Sequence, residues 1–280
     1  MILFLLIASI GYEYMLVDPV AERVGMGYAV VGDGHSIHYN PAGITLNTGT
    51  SYSFSYLNYI GGTHFGHVDY ESNVLGASIR YFYSGKMKKT DALGQEFGDF
   101  STNFIDFNIG KGFTMSNILL GVSGKFVYEL IDTLYSLGFG IDMGALYLLS
   151  QENIQLGLAV KNLGTGIKPF INDKELLPYE INLGLIKKFN QGWIGLDIVK
   201  PALLNLGFRI GGGYDLTEYL TFRISYNSLL SQVKTDTGLD FLAGITLGFG
   251  VKKNKINVNY SYTPYFNLGQ AHRLTIRIGG

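Results

Sequence analysis

The side chains best equipped for chemistry are five histidines, His35, His38, His64, His67 and His272. Four of them form two H-x-x-H pairs, His35/His38 and His64/His67, a spacing used by metal ligands on helices. The residues from Thr63 to Tyr70 read as a strand, however, and on a strand positions i and i+3 point to opposite faces. That geometry spoils His64/His67 as a chelating pair. His35/His38 sits in irregular chain, but no cysteine or acidic cluster completes either pair, so no metal and no cofactor is expected. No nucleophile elbow G-x-S-x-G is present, nor a phosphate-binding loop, nor G-x-G-x-x-G between a strand and a helix. Gly211-Gly212-Gly213 lies inside a strand pattern, where it marks a bend or close packing. Nothing local supports a Ser/His/acid set, and the chain does not read as an enzyme.

The elements that would carry these residues are strands. The chain has 280 residues with 20 Tyr, 18 Phe and 38 Gly against only 6 Pro, a composition that suits pleated surfaces joined by tight turns. Charged residues make up 15%, well under the roughly 25% of an ordinary globular domain. Mean hydropathy is +0.18, yet no run approaches the roughly 18 apolar residues of a membrane helix. A formal net charge of −1 gives no electrostatic case for nucleic acid. Cysteine is absent, so disulfides and thiolate metal sites are excluded.

Residues 1–11 form a short apolar run with Ser9 and Gly11 as small residues ahead of Tyr12, and they read as a signal peptide. Residues 12–47 lack alternation, are rich in glycine, and read as a compact, loop-rich segment. From residue 48 to 280 the pattern turns to period two. Tyr52, Phe54 and Tyr56 alternate with Ser51, Ser53 and Ser55, and Ile256, Val258 and Tyr260 alternate with Lys255, Asn257 and Asn259. Repeats of this pattern predict about fourteen strands of about ten residues each. The connections Asn190-Gln191-Gly192 and Lys252-Lys253-Asn254 read as tight turns. The stretches Ser84–Thr102, Gly164–Tyr179 and Leu229–Thr237 read as loops on the opposite rim.

Arg80, Asp106, Lys125, Asp142, Lys161, Asp197, Arg209, Arg223, Arg273 and Arg277 all fall on the non-apolar phase. The other phase is bulky in nearly every strand, with Tyr56, Tyr81, Tyr147, Tyr214 and Tyr260 near strand ends as in an interfacial girdle. A soluble β-sandwich would also alternate, but the continuous bulky phase favours an all-β, transmembrane antiparallel β-barrel of the outer membrane. In that barrel the charges face the lumen and the lipid meets the apolar phase. Their mixed sign suits pairing rather than an ion-selective pore. The Gly-rich strands Gly207–Gly213 and Gly244–Gly250 are candidate weak points in the wall, or places where other chain packs closely.

The most distinctive stretch is Gly25-Met26-Gly27, then Asp33, then Tyr39-Asn40-Pro41-Ala42-Gly43. Asn-Pro-Ala-Gly reads as a turn, in which Asn40 bonds nearby backbone, Pro41 fixes φ, and Gly43 permits positive φ. With Lys161-Asn162-Leu163-Gly164 closing a mid-chain strand, Leu177-Pro178-Tyr179-Glu180, Tyr260-Ser261-Tyr262-Thr263-Pro264 and Leu268-Gly269-Gln270-Ala271-His272-Arg273, the ordered set spans nearly the whole chain. It resembles the PorV/PorQ family of outer-membrane proteins, relatives of the FadL transporters. The chain departs from that family in a shorter run between Gly27 and Asn40 and in ending Ile278-Gly279-Gly280 rather than on an aromatic residue.

The resemblance implies a barrel of fourteen strands whose segment 12–47 folds into the lumen as a hatch, with Gly25, Gly27, Asn40, Pro41, Ala42 and Gly43 as the hatch motif. It further implies one of two non-enzymatic roles. One is passage of hydrophobic small molecules. The other is a platform for secreted or cell-surface proteins in a type IX secretion system. A structural barrel or small porin without a dedicated substrate is the alternative. Outer-membrane lipid and, during biogenesis, the barrel-assembly machinery are the general partners.

Overall fold

The computed structural model describes residues 12–23, 35–172, 175–230 and 240–279. The segment read as a signal peptide, together with Gly25 and Gly27 of the hatch motif, lies outside the described residues. The strands are β1 (Ser51–Asn58), β2 (His64–Glu71), β3 (Leu75–Tyr83), β4 (Met87–Thr90), β5 (Glu96–Phe100), β6 (Thr102–Met115), β7 (Ile118–Ile131) and β8 (Leu134–Leu149). They continue with β9 (Ile154–Lys168), β10 (Glu180–Phe189), β11 (Gly192–Pro201), β12 (Gly207–Asp215), β13 (Leu220–Asn227), β14 (Ile245–Lys253), β15 (Ile256–Pro264) and β16 (Gln270–Gly279).

Fourteen of them form one closed antiparallel barrel, in which β1 pairs with both β2 and β16. The remaining two, β4 and β5, form a separate hairpin between β3 and β6. The expected strand count holds, and the stretch Ser84–Thr102 that read as a loop carries this hairpin. Closure leaves no edge strand, which is what lets a sheet satisfy all its backbone groups inside a membrane. No helix among the described residues is long and apolar enough to cross one.

Turns at 72–74, 116–117, 150–153, 190–191, 216–219 and 254–255 are short and share one rim. The opposite rim carries the longer connections at 59–63, 84–101, 202–206 and 265–269, those that follow β9 and β13, and one two-residue turn at 132–133. Positive φ occurs where these turns need it, at Ser116, Asp132, Asn153 and Asn254. The stretch Lys161–Gly164 does not close a strand. Asn162 takes a left-handed φ of 58°, the register with β8 shifts there, and β9 runs on to Lys168. One extra residue is absorbed as a bulge, so the Gly164–Tyr179 connection begins later than the sequence implied.

The burial pattern alternates along the wall, and β1 reads buried–exposed throughout its eight residues. The exposed phase is apolar: Phe54, Ile79, Phe107, Phe139, Leu158, Leu183, Ile198 and Leu247 all point outward. Tyr52, Tyr70, Tyr147 and Tyr214 lie toward the short-turn rim, and Tyr56, Tyr81 and Tyr260 toward the long-loop rim. Such a belt, exposed all round, is stable only against lipid. The protein is a transmembrane barrel of the outer-membrane type.

Candidate functional site

On the inward phase Arg80, Asp106, Lys125, Asp142, Lys161, Asp197 and Arg273 are buried, and Arg209, Arg223 and Arg277 are half-buried. Arg80 Nε donates to Asp106 Oδ2 at 2.7 Å across the β3–β6 pair. Lys125 Nζ lies 3.0 Å from Asp142 Oδ2 and donates to Asn162 Oδ1 at 2.5 Å. The bulge at Asn162 explains this contact, because it turns the Asn162 N–H onto Asp142 Oδ1 at 2.6 Å and its side-chain amide onto Pro178 O at 3.1 Å. Arg209 pairs with Glu180 at 3.1 Å and donates to Asn182 Oδ1 at 3.0 Å. Arg223 donates to Asn259 Oδ1, Arg273 donates to Thr263 Oγ1, and Arg277 lies 3.9 Å from Glu22. Asp197 is buried on the same face, and Lys161 Nζ stands 5.4 Å from the Tyr39 ring centroid. Sequence reading missed Asp69, Glu71, Glu129 and Glu180, which sit buried on the same phase of their strands. Phase alone would have found them.

The two described N-terminal stretches pack against this inward face. Arg80 donates to Met15 O and Val17 O, Arg273 donates to Asp18 O, and the Ala21 N–H donates to Thr275 Oγ1 at 2.9 Å. Asn108 donates to Ile37 O at 3.0 Å, and Glu71 accepts from the Ile37 N–H and from the Asn47 amide. Here Asn40 Oδ1 accepts from the Ala42 N–H at 3.1 Å, and Pro41 opens a 3₁₀ helix, Pro41–Leu46. That makes Asn40 an N-cap and Pro41 a first-turn residue. Gly43 is not left-handed, as the turn reading supposed. It lies within the 3₁₀ helix, and its N–H donates to Asn40 O at 2.9 Å.

Glycine in the wall makes room for this element. A Cβ on Gly144 would overlap Asn40 Oδ1, and one on Gly121 would overlap the Pro41–Ala42 peptide. Gly110 and Gly112 likewise face Ile37 and Thr45. The glycines of β12 and β14 serve different neighbours: Gly213 lies under the Trp193 indole and Gly250 under the Arg223 guanidinium. Close packing against the described N-terminal stretches therefore accounts for glycines on β3 and β6–β8.

Most of the inward charge lies in the middle of the lumen, with Glu129 nearer the long-loop rim and Glu71 at the short-turn end of β2. Toward the long-loop rim, the inward residues Leu57, Phe65, Phe104, Val127 and Ala271 cluster with Tyr12, Tyr14 and Met15. Toward the short-turn rim, Leu119, Leu146 and Ile186 cluster with Ala42, and Trp193 packs beside them. The mid-lumen charge is thus flanked by an apolar cluster toward each rim. This interior apolar set was invisible to a simple two-phase reading, because at strand ends both faces become apolar.

Burial is uneven around the ring. Inward residues of β12 and β13, including Arg209, Gly211, Gly213, Arg223 and Ser225, are only half-buried. The space left inside the barrel therefore borders these two strands. On the outer side of the same strands is a groove of about 420 Å³. It is centred on Gly212 and lined by Phe189, Ile194, Tyr214, Phe222 and Ile224, all on the outward phase.

His35 and His38 enter the lumen with the N-terminal stretch, whereas the strand parity of β2 sends His67 inward and His64 outward. His64 and His272 each bond a rim tyrosine, with Tyr56 at 2.8 Å and Tyr260 at 2.7 Å. Burial pulls the His35 imidazole down, but the Asp69 and Glu22 carboxylates outweigh it and hold the ring well above the ordinary histidine range. Burial drives His38 well below that range, and Arg80 and Lys161 push the same way.

No family model matches the chain, and no curated protein matches it in sequence. Solved structures do. A Pseudomonas aeruginosa FadL homologue matches with a TM-score of 0.53 at 11% identity, covering 92% of this chain and 98% of that one. The P. putida toluene transporter TodX matches with a TM-score of 0.58 at 13% identity, covering 94% and 96%. The Ralstonia pickettii toluene transporter TbuX matches with a TM-score of 0.59 at 13% identity, covering 97% and 98%. The fold is FadL-like. The matches cover more than nine-tenths of each chain, so the likeness extends over the barrel as a whole. At such identities the likeness concerns fold, and the site residues must be argued from their own geometry.

Proposed function

We propose that this FadL-like barrel passes hydrophobic small molecules across the outer membrane without turnover, with residues 12–47 acting as a hatch. The observation that carries the reading is the coincidence on β12 and β13 of spare lumen space inside and an apolar groove outside. A molecule entering through the apolar layer at the long-loop rim would meet the charged layer, which a hydrocarbon cannot cross cheaply. A sideways exit through the wall near Gly212, where side-chain bulk is missing, avoids that barrier. The names of the structural neighbours, two of them toluene transporters, favour a monoaromatic or similarly sized apolar cargo. Small turns toward the periplasm and longer loops outward is the usual bacterial arrangement, which would make the long-loop rim the entrance.

The test is transport in proteoliposomes. Uptake of a labelled monoaromatic hydrocarbon should exceed that of protein-free vesicles, while swelling in small sugars stays slow. Ile194→Trp and Gly212→Leu, which fill the groove from its two sides, should each reduce hydrocarbon uptake in correctly folded barrels. Rapid sugar flux through the intact protein would restore a general porin.

A second reading is a PorV-like platform for secreted or surface proteins. It is favoured by the β4–β5 hairpin, which stands outside the barrel sheet and exposes Leu93 at 85% and Phe97 at 67%. Removing residues 86–100 should leave hydrocarbon uptake intact but abolish partner capture if this reading holds.

A further inference from the structure

The two H-x-x-H pairs combine crosswise. His35 comes from one, and His67 from the other, and both close on Asp69, two residues along β2 from His67 on the same inward face. His35 Nδ1 lies 2.9 Å from Asp69 Oδ2, and His67 Nε2 lies 3.1 Å from the same oxygen. One donor atom from each of the three residues lies within 4.8 Å of the others, and all three side chains are buried. Donors about 2.0–2.1 Å from a tetrahedral ion stand roughly 3.3 Å apart, so small side-chain rotations would bring the set into place.

What marks the cluster as a site is what it leaves unpaired. His67 Nδ1 has no hydrogen-bond partner, His67 Nε2 has only the Asp69 carboxylate 3.1 Å away in poor hydrogen-bond geometry, and Asp69 Oδ1 and His38 Nδ1 have none, although all are buried. Buried polar atoms almost always find partners, and a group of unpartnered atoms in one place calls for an ion or a water. A proton on His35 satisfies His35 alone, by bridging Asp69 and Glu22, and does nothing for His67. The Glu22 contact fits a metal ligand equally well. Glu22 Oε1 stands 2.6 Å from His35 Nε2, the position from which a carboxylate orients a ligating imidazole and raises its basicity. Glu22 is itself held by the Asn259 amide. Around His35 and Asp69 the local charge favours a cation, because Asp69, Glu22 and Glu71 converge there, whereas the His67 and His38 side faces Arg80, opposite His67 across β2 and β3, and Lys161.

We propose that this chain binds one divalent transition-metal ion of the zinc class in its lumen, through His35 Nδ1, His67 Nε2 and the Asp69 carboxylate. His38, whose ring centroid is 4.9 Å from that of His67, is the protein donor nearest to a fourth position. Two nitrogens with one carboxylate suit zinc or cobalt better than calcium or magnesium, which prefer all-oxygen sets. Since His35 belongs to the N-terminal stretch and His67 and Asp69 to the wall, the ion would fasten one to the other. This site stands independently of the passage reading.

The experiment uses the full refolded chain, stripped with chelator and checked for folding by heat-modifiable gel migration. Equilibrium dialysis against zinc should give one ion per chain, and cobalt should give visible d–d absorption of tetrahedral intensity. His67→Gln and Asp69→Asn should each weaken binding by at least 10- to 100-fold. His64→Ala and His272→Ala, on the outer face, should bind as the parent does. Zinc should raise the thermal midpoint of the parent but not of His67→Gln. Failure of the folded parent to bind one zinc, or undiminished binding by His67→Gln, would overturn the site. Loss of binding in His64→Ala would do the same by placing the ion at the rim.

Discussion

Arg80 and Asp106 face each other across β3 and β6 at 2.7 Å, both fully buried, and the guanidinium also holds Met15 O and Val17 O. Such a pair is sensitive to the loss of one partner, because the survivor is left charged and unpaired in a dry interior. Asp106→Ala should therefore cost about 3–5 kcal/mol in a urea titration of the vesicle-inserted barrel. The double variant Arg80→Leu/Asp106→Leu should recover part of that loss, but not all, because the backbone carbonyls of Met15 and Val17 lose their donor as well. A double variant no better than Asp106→Ala would mean that the pair itself contributes little. Asn162 shows the same dependence on position. Its polarity was plain in the sequence, but its left-handed backbone, and hence its reach to Lys125 and Asp142, follows from a bulge that appears only when β9 pairs with β8.

At the scale of elements, the wall works by parity and depth. Ile79 lies mid-strand on β3 with its side chain outward, whereas Ile256 starts β15 beside a rim turn. Ile79→Arg should hinder folding into bilayers by about 2–4 kcal/mol, and Ile256→Arg by about 0–1 kcal/mol. Equal costs would contradict the placement of these strands across the membrane. The 3₁₀ element Pro41–Leu46 depends on glycine in β7 and β8 in the same way that the outward face depends on bulk. Gly144→Val would drive a side chain into Asn40 and should unseat the N-terminal stretch while the barrel closes. Arg23 is fully buried in the parent. Limited trypsin digestion should spare it there and cut after it in Gly144→Val; identical digests would show that the stretch is held by other contacts.

For the molecule as a whole, a fourteen-strand ring is wider than its own inward side chains can fill, so its permeability depends on what else lies inside. Inward polar residues of β2, β3, β6 and β16 bond the N-terminal stretches, through Glu71, Arg80, Asn108, Arg273 and Thr275. Deleting residues 22–38 removes Ile37, the partner of Asn108 and Glu71, together with Glu22 and His35, but leaves every strand. The variant should still fold and should show a larger single-channel conductance in planar bilayers. Unchanged conductance in a folded deletion would count against the hatch and in favour of the layered side chains as the barrier.

Period-two alternation was enough to read strand existence, wall orientation and the inward set from Arg80 to Arg277, because a pleat sends neighbours to opposite faces whatever the surroundings. It also fixed His64 outward relative to His67. The failures share one cause, which is that pairing and packing between distant segments leave no local trace. Gly43 was assigned a turn that the 3₁₀ helix made unnecessary, and the strand after Lys161 was ended at a bulge that its neighbour absorbs. The sequence did not mark Gly121 and Gly144 as the glycines that must lack a Cβ, because only the docked Asn40 and Pro41 show it. The meeting of His35 with His67 and Asp69 lies furthest from the sequence. It joins residues more than thirty positions apart, and nothing in either H-x-x-H pair specifies it. The sequence by itself determined which side chains face inward; closing the ring decided which of them meet, since only closure brings the N-terminal stretch against β2.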